Sequence, residues 1–554
     1  MSSTPSAAQE ESQSEGREVE WQLASTDLGS VRRWLADHGT IDGLVLEPRS
    51  TLRICDTYLD TDDWRIHRAG FALRIRSGAG KAEVTLKSLH SASGEFADRR
   101  ELSETLENGE SESIRHSIGP VGSRVQAVSG AHALVPLFEV RTSRQRFAIH
   151  KENESHQLGE IALDDTVISR PHGEPRKSMQ RVEVEAFTQS HEPLQSLVNT
   201  LRHDCALEAA SDTKYSQGLK SVGLAPAAAP QFAPIAVDAS MTMREVAFAN
   251  LRRYLSAWYL HEPAARLGDS PEELHDLRVA GRRLDAILGE FRSFLPASLL
   301  RIRPTLKRVL TSLGDARDLD VALGGLETFS RELSVSDRES VAPFKQHLLR
   351  ERSQARTRML AVLDAVSVQR NLSKLTALLA APGAASTPSA AGMTLTAAPE
   401  MIRRRYRKVR KYADLLAPNS SVEAYHEVRG RVKKLRYALE SVAVIYGKPA
   451  DEMLRALRRW QNTLGVQQDA AVACRRLRSL AGAPPKGISA ETLFLMGMLA
   501  ENYTGAAVRA RTLSAKGYRK VRGRWKKLRV NLDVKSTGDS KPAVALKELR
   551  EDPC

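Results

Sequence analysis

The sequence predicts an α+β protein of two domains, an antiparallel β-barrel followed by an all-α domain of two repeated helical bundles. Three observations carry this. Residues 17–220 alternate apolar and charged side chains with the period of two that strands require, residues 241–530 run as long amphipathic helices, and the helical half writes one pattern twice. HDLRVAGRRL at 275–284 returns as HEVRGRVKKL at 426–435, and LKRVLTSLGDARD at 306–318 returns as LRRWQNTLGVQQD at 457–469. Both matches share one offset, 151 residues, so His275 answers His426, Arg278 answers Arg429, Gly314 answers Gly465 and Asp318 answers Asp469. Agreement over 44 positions points to duplication.

Taken in order, residues 1–16 are Ser/Glu-rich and predict a disordered start. REVEWQLA at 17–24 sets Glu18, Glu20 and Gln22 on one face and Val19, Trp21 and Leu23 on the other. A short amphipathic helix follows at 31–39, then strands at 52–59, 71–77, 82–88, 99–106, 137–149, 157–165 and 181–187, and a helix near 191–205. Many antiparallel strands with few helices argue for a barrel or a strongly curved sheet. Arg74 with Arg76, Arg144 with Arg146, and Glu183 with Glu185 each lie two apart, so each pair shares a strand face, opposite apolar Leu73, Ile75, Val182 and Val184. Arginine pairs on some strands and glutamate pairs on others suit an interior that holds an anion and its divalent metal.

Residues 221–240 are Ala/Pro-rich and read as a linker; 380–399 is a second low-complexity joint, between repeats at about 241–379 and 400–530; 531–554 predicts a disordered tail. At 554 residues the chain is too long for one core. Charge is unevenly shared: residues 241–530 hold 52 Lys+Arg against 27 Asp+Glu, net +25, leaving 30 against 40, net −10, elsewhere. A basic half of that size implies a polyanionic partner or a soluble basic surface. Cys55, Cys205, Cys474 and Cys554 show no CxxC spacing and suggest thiols in a reducing compartment. With no signal-peptide pattern and no long apolar run, the sequence predicts a cytoplasmic protein without a membrane partner.

The first half resembles the CYTH family, whose members fold as triphosphate tunnel barrels and include inorganic triphosphatases, thiamine triphosphatases and a class of adenylate cyclases. EVEWQ at 18–22, YLDT at 58–61, GFALRIR at 70–76, TLK at 85–87, RRE at 99–101, LDD at 163–165, VEVE at 182–185 and SDTK at 211–214 stand in family order. The resemblance implies that Arg74, Arg76, Lys87, Arg99, Arg144, Arg146 and Lys214 cradle phosphates, with Arg100 an alternative to Arg99. It implies Glu18, Glu20, Asp164, Glu183 and Glu185 as ligands of Mg²⁺ or Mn²⁺, with Asp165 an alternative to Asp164. One position departs: where the family signature has Lys, this chain has Gln22, which keeps a hydrogen bond and loses a charge worth roughly 1.5–3 kcal/mol. Two readings stay open, a metal-dependent triphosphatase hydrolysing tripolyphosphate or a related triphosphate, and a degenerate barrel that binds without turnover.

On a helix, His275, Arg278 and Arg282 fall within about 60° of one another, as do His426, Arg429 and Lys433, giving two ridges each about 10 Å long. Arg283, Lys434 and Arg436 broaden the face, and Lys307, Arg308, Arg458 and Arg459 recur on another helix pair. These motifs resemble the CHAD domain, a family of two repeated helical bundles named for its histidines, and imply affinity for inorganic polyphosphate and association with polyphosphate granules. The first copy has Asp285 where the second has Arg436, which predicts weaker binding at the first. The second has Gln468 where the first has Arg317. Nucleic acid is a less favoured partner, since no helix-turn-helix, RNP or zinc signature is present and few aromatics interleave the cations.

Overall fold

The structure, a computed structural model, describes residues 13–536 apart from 78–80, 90–95, 107–109, 153, 155, 188–191, 227–229, 231, 234 and 382–392. The side chains of 13–18, 96–99 and 535–536 also lie outside the described part. Two compact units form, residues 1–229 with 262–270, and 230–261 with 271–554.

The first unit is built on an antiparallel sheet. Its strands are β1 (Gln13–Ser25), β2 (Thr40–Ile41), β3 (Leu44–Pro48), β4 (Leu52–Thr61), β5 (Phe71–Ser77), β6 (Ala82–Ser88), β7 (Phe96–Leu106), β8 (Leu134–Lys151), β9 (Gln157–Ser169), β10 (Pro175–Ala186) and β11 (Glu208–Ala209). Helices α1 (Leu28–Asp37), α2 (Arg65–Arg68), α3 (Ser111–His116), α4 (Pro120–Ser129), α5 (Glu192–Asp204) and α6 (Lys214–Val222) accompany it. The pairing runs β8–β4–β5–β6–β7–β1–β10–β9, and β9 pairs again with β8 through Glu139↔Ser169 to His150↔Gln157. "Barrel" is a loose description, because β2 and β3 extend the path beyond β8 and β11 pairs beside β1.

The alternation explains the layering. In β5, Leu73 and Ile75 are buried in a cluster with Val84, Leu86, Leu102 and the helix residues Ile114, Val121 and Val125. In β10, Val182 and Val184 pack with Trp21, Leu23 and the α5 residues Leu194, Leu197 and Leu201. Arg74, Arg76, Glu183 and Glu185, one residue out of phase, therefore turn to the opposite face of the sheet, where a cavity of about 910 Å³ lies.

The second unit is helical: α7 (Met243–Leu267), α8 (Pro271–Glu290), α9 (Ala297–Leu300), α10 (Arg303–Arg331), α11 (Val335–Asp364), α12 (Val366–Ala380), α13 (Thr394–Ala413), α14 (Val422–Glu440), α15 (Ala443–Tyr446), α16 (Lys448–Gly482) and α17 (Ala490–Ser536). The duplication is structural. Helix α13 starts 394 − 243 = 151 residues after α7, and α14 starts 422 − 271 = 151 residues after α8. Equivalent positions also meet: Thr242 bridges Met393, again 151 apart, and α8 packs against α14. Contacts between equivalent positions are the mark of a local two-fold arrangement.

Several boundaries move. Strand β1 begins at Gln13, inside the stretch expected to be disordered, because pairing with β7 from Gln13↔Glu104 orders polar residues that carry no apolar alternation. Helix α17 continues to Ser536, past the expected end at 530, because Leu532 stays fully buried one turn beyond Leu528. Helix α13 begins within the expected joint at Thr394, a buried residue whose hydroxyl donates to the Met241 carbonyl at 2.5 Å. The expectations for 1–12, 382–392 and 537–554 lie outside the described residues.

Candidate functional site

The cavity of the sheet unit has a mixed lining. Its apolar part includes Tyr58, Ala72, Leu89, Tyr215, Leu219 and Leu224, with His67 Nδ1 3.1 Å from the Tyr215 hydroxyl. Its charged part gathers Arg74, Arg76, Lys87, Arg144 and Lys214 with Glu20, Glu101, Glu183 and Glu185, and Tyr58 and Ala72 pair directly with Arg74 and Lys87 across the strands. Five of the seven expected phosphate ligands thus share one wall. Arg146 stands back from it, 3.5 Å from Glu160. The Arg99 side chain lies outside the described residues, and its alternative, Arg100, is committed to Asp269 at 2.6 Å.

Buried acids hold these cations. Arg144 donates Nε and Nη2 to Asp164 at 2.8 and 2.6 Å and reaches Glu183 at 2.5 Å; Lys214 bonds the same two acids at 2.5 and 3.0 Å. Burial would raise the Glu183 carboxyl, but Lys214 and Arg144 hold it well below the usual range. Asp164 is inaccessible while its alternative, Asp165, is exposed. Asp164 and Glu183, expected as metal ligands, here pair with two of the cations expected to bind phosphate.

Glu20 and Glu185 differ. The β1–β10 register sets them directly opposite each other, an arrangement that destabilises a sheet unless a cation intervenes. Burial, then repulsion from Glu20 and Glu101, pushes Glu185 up to about 7. Hard oxygen donors in mutual repulsion suit Mg²⁺ or Mn²⁺, and magnesium needs only one or two carboxylates when substrate phosphates complete its shell. Glu18, whose backbone pairs with Arg99, has its side chain outside the described residues. Among the described residues, the one group of three metal-ligating side chains with all ligand atoms within 4.8 Å is Asp62, Asp63 and His132. Arg65 and Arg68 already neutralise it through Asp63 at 3.1 and 3.0 Å.

Gln22 lies in the same wall. Its Nε2 donates to Glu20 Oε1 at 2.6 Å, and its Oε1 accepts from Arg181 Nη1 at 3.3 Å. Arg181, 4% exposed, also bonds the Asp212 carbonyl in the loop that delivers Lys214. Arg181 therefore orients the amide and anchors that loop. Three such residues escaped the sequence reading. Arg181 lies two before Glu183 and Glu101 two after Arg99, so extending the period-two count would have found both. Asp56, 2.8 and 3.0 Å from Arg76 and 3.6 Å from Arg74, had no comparable signal.

In the helical unit the two ridges meet. Arg278 is pushed down to about 10 by burial and by Arg282, Arg317 and Arg429; Lys433 falls to about 7 through burial and through Arg429, Arg282 and Arg278. His275 is lowered by burial and by Arg317, Arg278 and Arg282. The repeated glycine and aspartate now have reasons. A Cβ on Gly314 would stand 3.4 Å from Arg278 Nη2, and one on Gly465 would stand 3.1 Å from Arg429 Nη2, so each arginine lies close over the neighbouring helix. Each then meets its aspartate at 3.7 Å, Arg278 with Asp318 and Arg429 with Asp469. In both copies the buried Nε has no hydrogen-bond partner among the described residues. Arg317, on the same cluster, was not expected there.

Other expected cations turn elsewhere. Arg283 lies over the Tyr254 ring, Arg308 bonds Ser367 at 2.9 Å, and Arg458 bonds Glu440 at 3.2 Å. Lys307, Lys434, Arg459 and His426 are exposed. Arg436 pairs with Glu440 at 2.8 Å and bonds Gln461, while Asp285 pairs with Arg303 at 2.6 Å. The expected weakness of the first copy loses its basis, because Arg436 is not a spare cation.

The sheet unit turns cations and acids into one cavity, and the helical unit is a duplicated bundle that pools cations. The family models agree: a CYTH domain matches residues 36–217 and a CHAD domain matches residues 249–478, so the chain carries a CYTH domain followed by a CHAD domain. Two uncharacterized proteins of Mycobacterium tuberculosis are each 26% identical over 271 residues, 46% of this chain and 48% of theirs, so the chain spans about half the length of the curated relatives it matches. Among solved structures, a CHAD domain from the plant Ricinus communis is 24% identical, covering 53% of this chain and 96% of that one, with a TM-score of 0.44. A putative adenylyl cyclase from Hippeastrum, described as having a dominant triphosphatase activity, is 16% identical, covering 38% and 97%, with a TM-score of 0.29. No helix among the described residues is long and apolar enough to cross a membrane.

Proposed function

We propose that the chain binds inorganic polyphosphate on the paired ridges of α8 and α14 and hydrolyses tripolyphosphate, or a related triphosphate, in the sheet cavity with Mg²⁺ or Mn²⁺. One observation carries the hydrolytic reading: Glu20 and Glu185 stand opposed in a cavity that also holds five cations, an arrangement that suits phosphates bound together with a divalent cation. Arg74 and Arg76 present forks to phosphate oxygens, with Asp56 fixing their orientation. Arg144 and Lys214, clamped by Asp164 and Glu183, keep their geometry while the negative charge shifts toward the leaving oxygen. Glu20 and Glu185 would hold the metal, which supplies Lewis-acid polarisation of the terminal phosphoryl group. Gln22, oriented by Arg181, keeps Glu20 in place without adding charge. The apolar lining, Tyr58, Tyr215 and Leu219 among it, would give an organic group on a related triphosphate a surface to pack against.

The test supplies tripolyphosphate with Mg²⁺ or Mn²⁺ and measures phosphate release. Turnover above a Glu183→Ala, Glu185→Ala control supports the enzyme. Tight binding without turnover leaves the second reading, a polyphosphate-binding protein with a degenerate cavity, which Gln22 favours.

A further inference from the structure

The second repeat carries a basic face that the first lacks. Residues 403–411 hold seven Lys and Arg and residues 519–529 hold seven more, whereas the stretches 151 residues earlier, 252–260 and 368–378, hold two each. Charge that served only solubility would have no reason to gather on one copy of a duplicated bundle. The two rich stretches lie side by side on α13 and α17: Tyr406 stacks on Trp525 with ring centres 3.9 Å apart, and the Tyr518 hydroxyl donates to Asp414 at 2.6 Å.

Some of these cations are already used. Arg403, Arg405, Arg407, Arg410 and Arg524 pair with Asp533, Glu290, Glu400, Asp414 and Glu452. Of the nine that remain, seven fall into two helical rows. Arg519, Arg522, Lys526 and Arg529 follow i, i+3, i+7, i+10 along about 15 Å of α17, and Arg404, Lys408 and Lys411 follow i, i+4, i+7 on α13. All seven are exposed, and none has a carboxylate partner within 4.0 Å among the described residues. Helices α13, α14, α16 and α17 pack in that cyclic order, so this face lies across the bundle from α14 and α16, which carry Arg429 and Asp469.

We propose that the outer face of α13 and α17 is a second polyanion site, which binds the phosphodiester backbone of double-stranded nucleic acid independently of the paired ridge. Two rows on helices about 8–10 Å apart, with cations about 5–6 Å apart along each, suit two strands of sparse charge. Polyphosphate is one strand of dense charge, and its match is the ridge, where cations from both repeats converge. Lysine and arginine rows that grip phosphates position a duplex without reading its sequence.

The test uses the full chain and a short fluorescent DNA duplex, titrated at several salt concentrations. Arg519→Gln, Arg522→Gln, Lys526→Gln and Arg529→Gln combined should weaken duplex binding roughly tenfold or more and reduce the salt slope by about 0.9 for each phosphate no longer neutralised. The thermal melt should be unchanged, because all four side chains are exposed. An Arg278→Ala, Arg429→Ala variant should keep its duplex affinity. The proposal fails if the parent does not bind the duplex, if the α17 variant binds it as the parent does, or if that variant loses long-chain polyphosphate instead, which would make the face a second polyphosphate site.

Discussion

The sheet cavity and the paired helical ridge both collect cations, yet they treat charge in opposite ways. In the cavity Asp164, Glu183 and Asp56 sit within 2.5–3.6 Å of the arginines and lysine they orient. On the ridge the aspartates stay at 3.7 Å and are largely exposed, and the cations depress one another instead. A compensated wall has a fixed geometry before any ligand arrives, which is what chemistry at one phosphoryl group requires. An uncompensated ridge stores repulsion that any polyanion relieves, which favours binding along a chain over reaction at one atom.

The largest effect should separate the two regions outright. Glu20→Gln with Glu185→Gln should abolish divalent-cation binding measured by calorimetry and lower tripolyphosphate hydrolysis about a hundredfold or more, while long-chain polyphosphate binding stays put. If both activities fell together, the division of labour would be wrong.

Next, Arg278→Ala and Arg429→Ala should each weaken polyphosphate binding about tenfold or more, as expected for loss of a charged hydrogen bond, and by similar amounts. Turnover of free tripolyphosphate should be unaffected. A much smaller loss for Arg278→Ala would restore the asymmetry that Asp285 and Arg436 suggested.

The two regions should also differ in pH response. Lys433, with a value of about 7, is half-charged near neutrality until a polyanion raises it, so polyphosphate affinity should fall severalfold as pH rises above about 7. Lys433→Gln should flatten that profile. In the cavity, Glu185 is raised from 4.5 to about 7, so its contribution to the stability of the metal-free protein is full below 4.5 and is lost as pH rises through 7. Glu185→Gln should therefore stabilise the metal-free protein by on the order of 1–3 kcal/mol at pH 8 and by nothing near pH 4, read from denaturant melts.

Legibility in the sequence followed the same divide. Strands 71–77 and 82–88 and both histidine helices were readable because one face of each is uninterruptedly apolar. Helices α3 and α4 were missed: they are short, and the second opens on Gly119 and Pro120, which read as a turn. Lining residues of the cavity followed from alternation, and so did Glu183, but Asp56 did not. Asp56 meets Arg76 only because β4 and β5 pair in one register, and a single sequence does not display register. The same holds for the convergence of α8 on α14, since helical phase gives each ridge but not its partner.

The bridge between Thr242 and Met393 has a consequence for how such a protein could arise. Equivalent positions that touch across a local two-fold axis are what two identical chains make when they associate symmetrically. A half-length ancestor with one bundle could therefore have built the paired ridge as a homodimer, and gene fusion would have preserved the site while freeing each copy's outer surface to diverge.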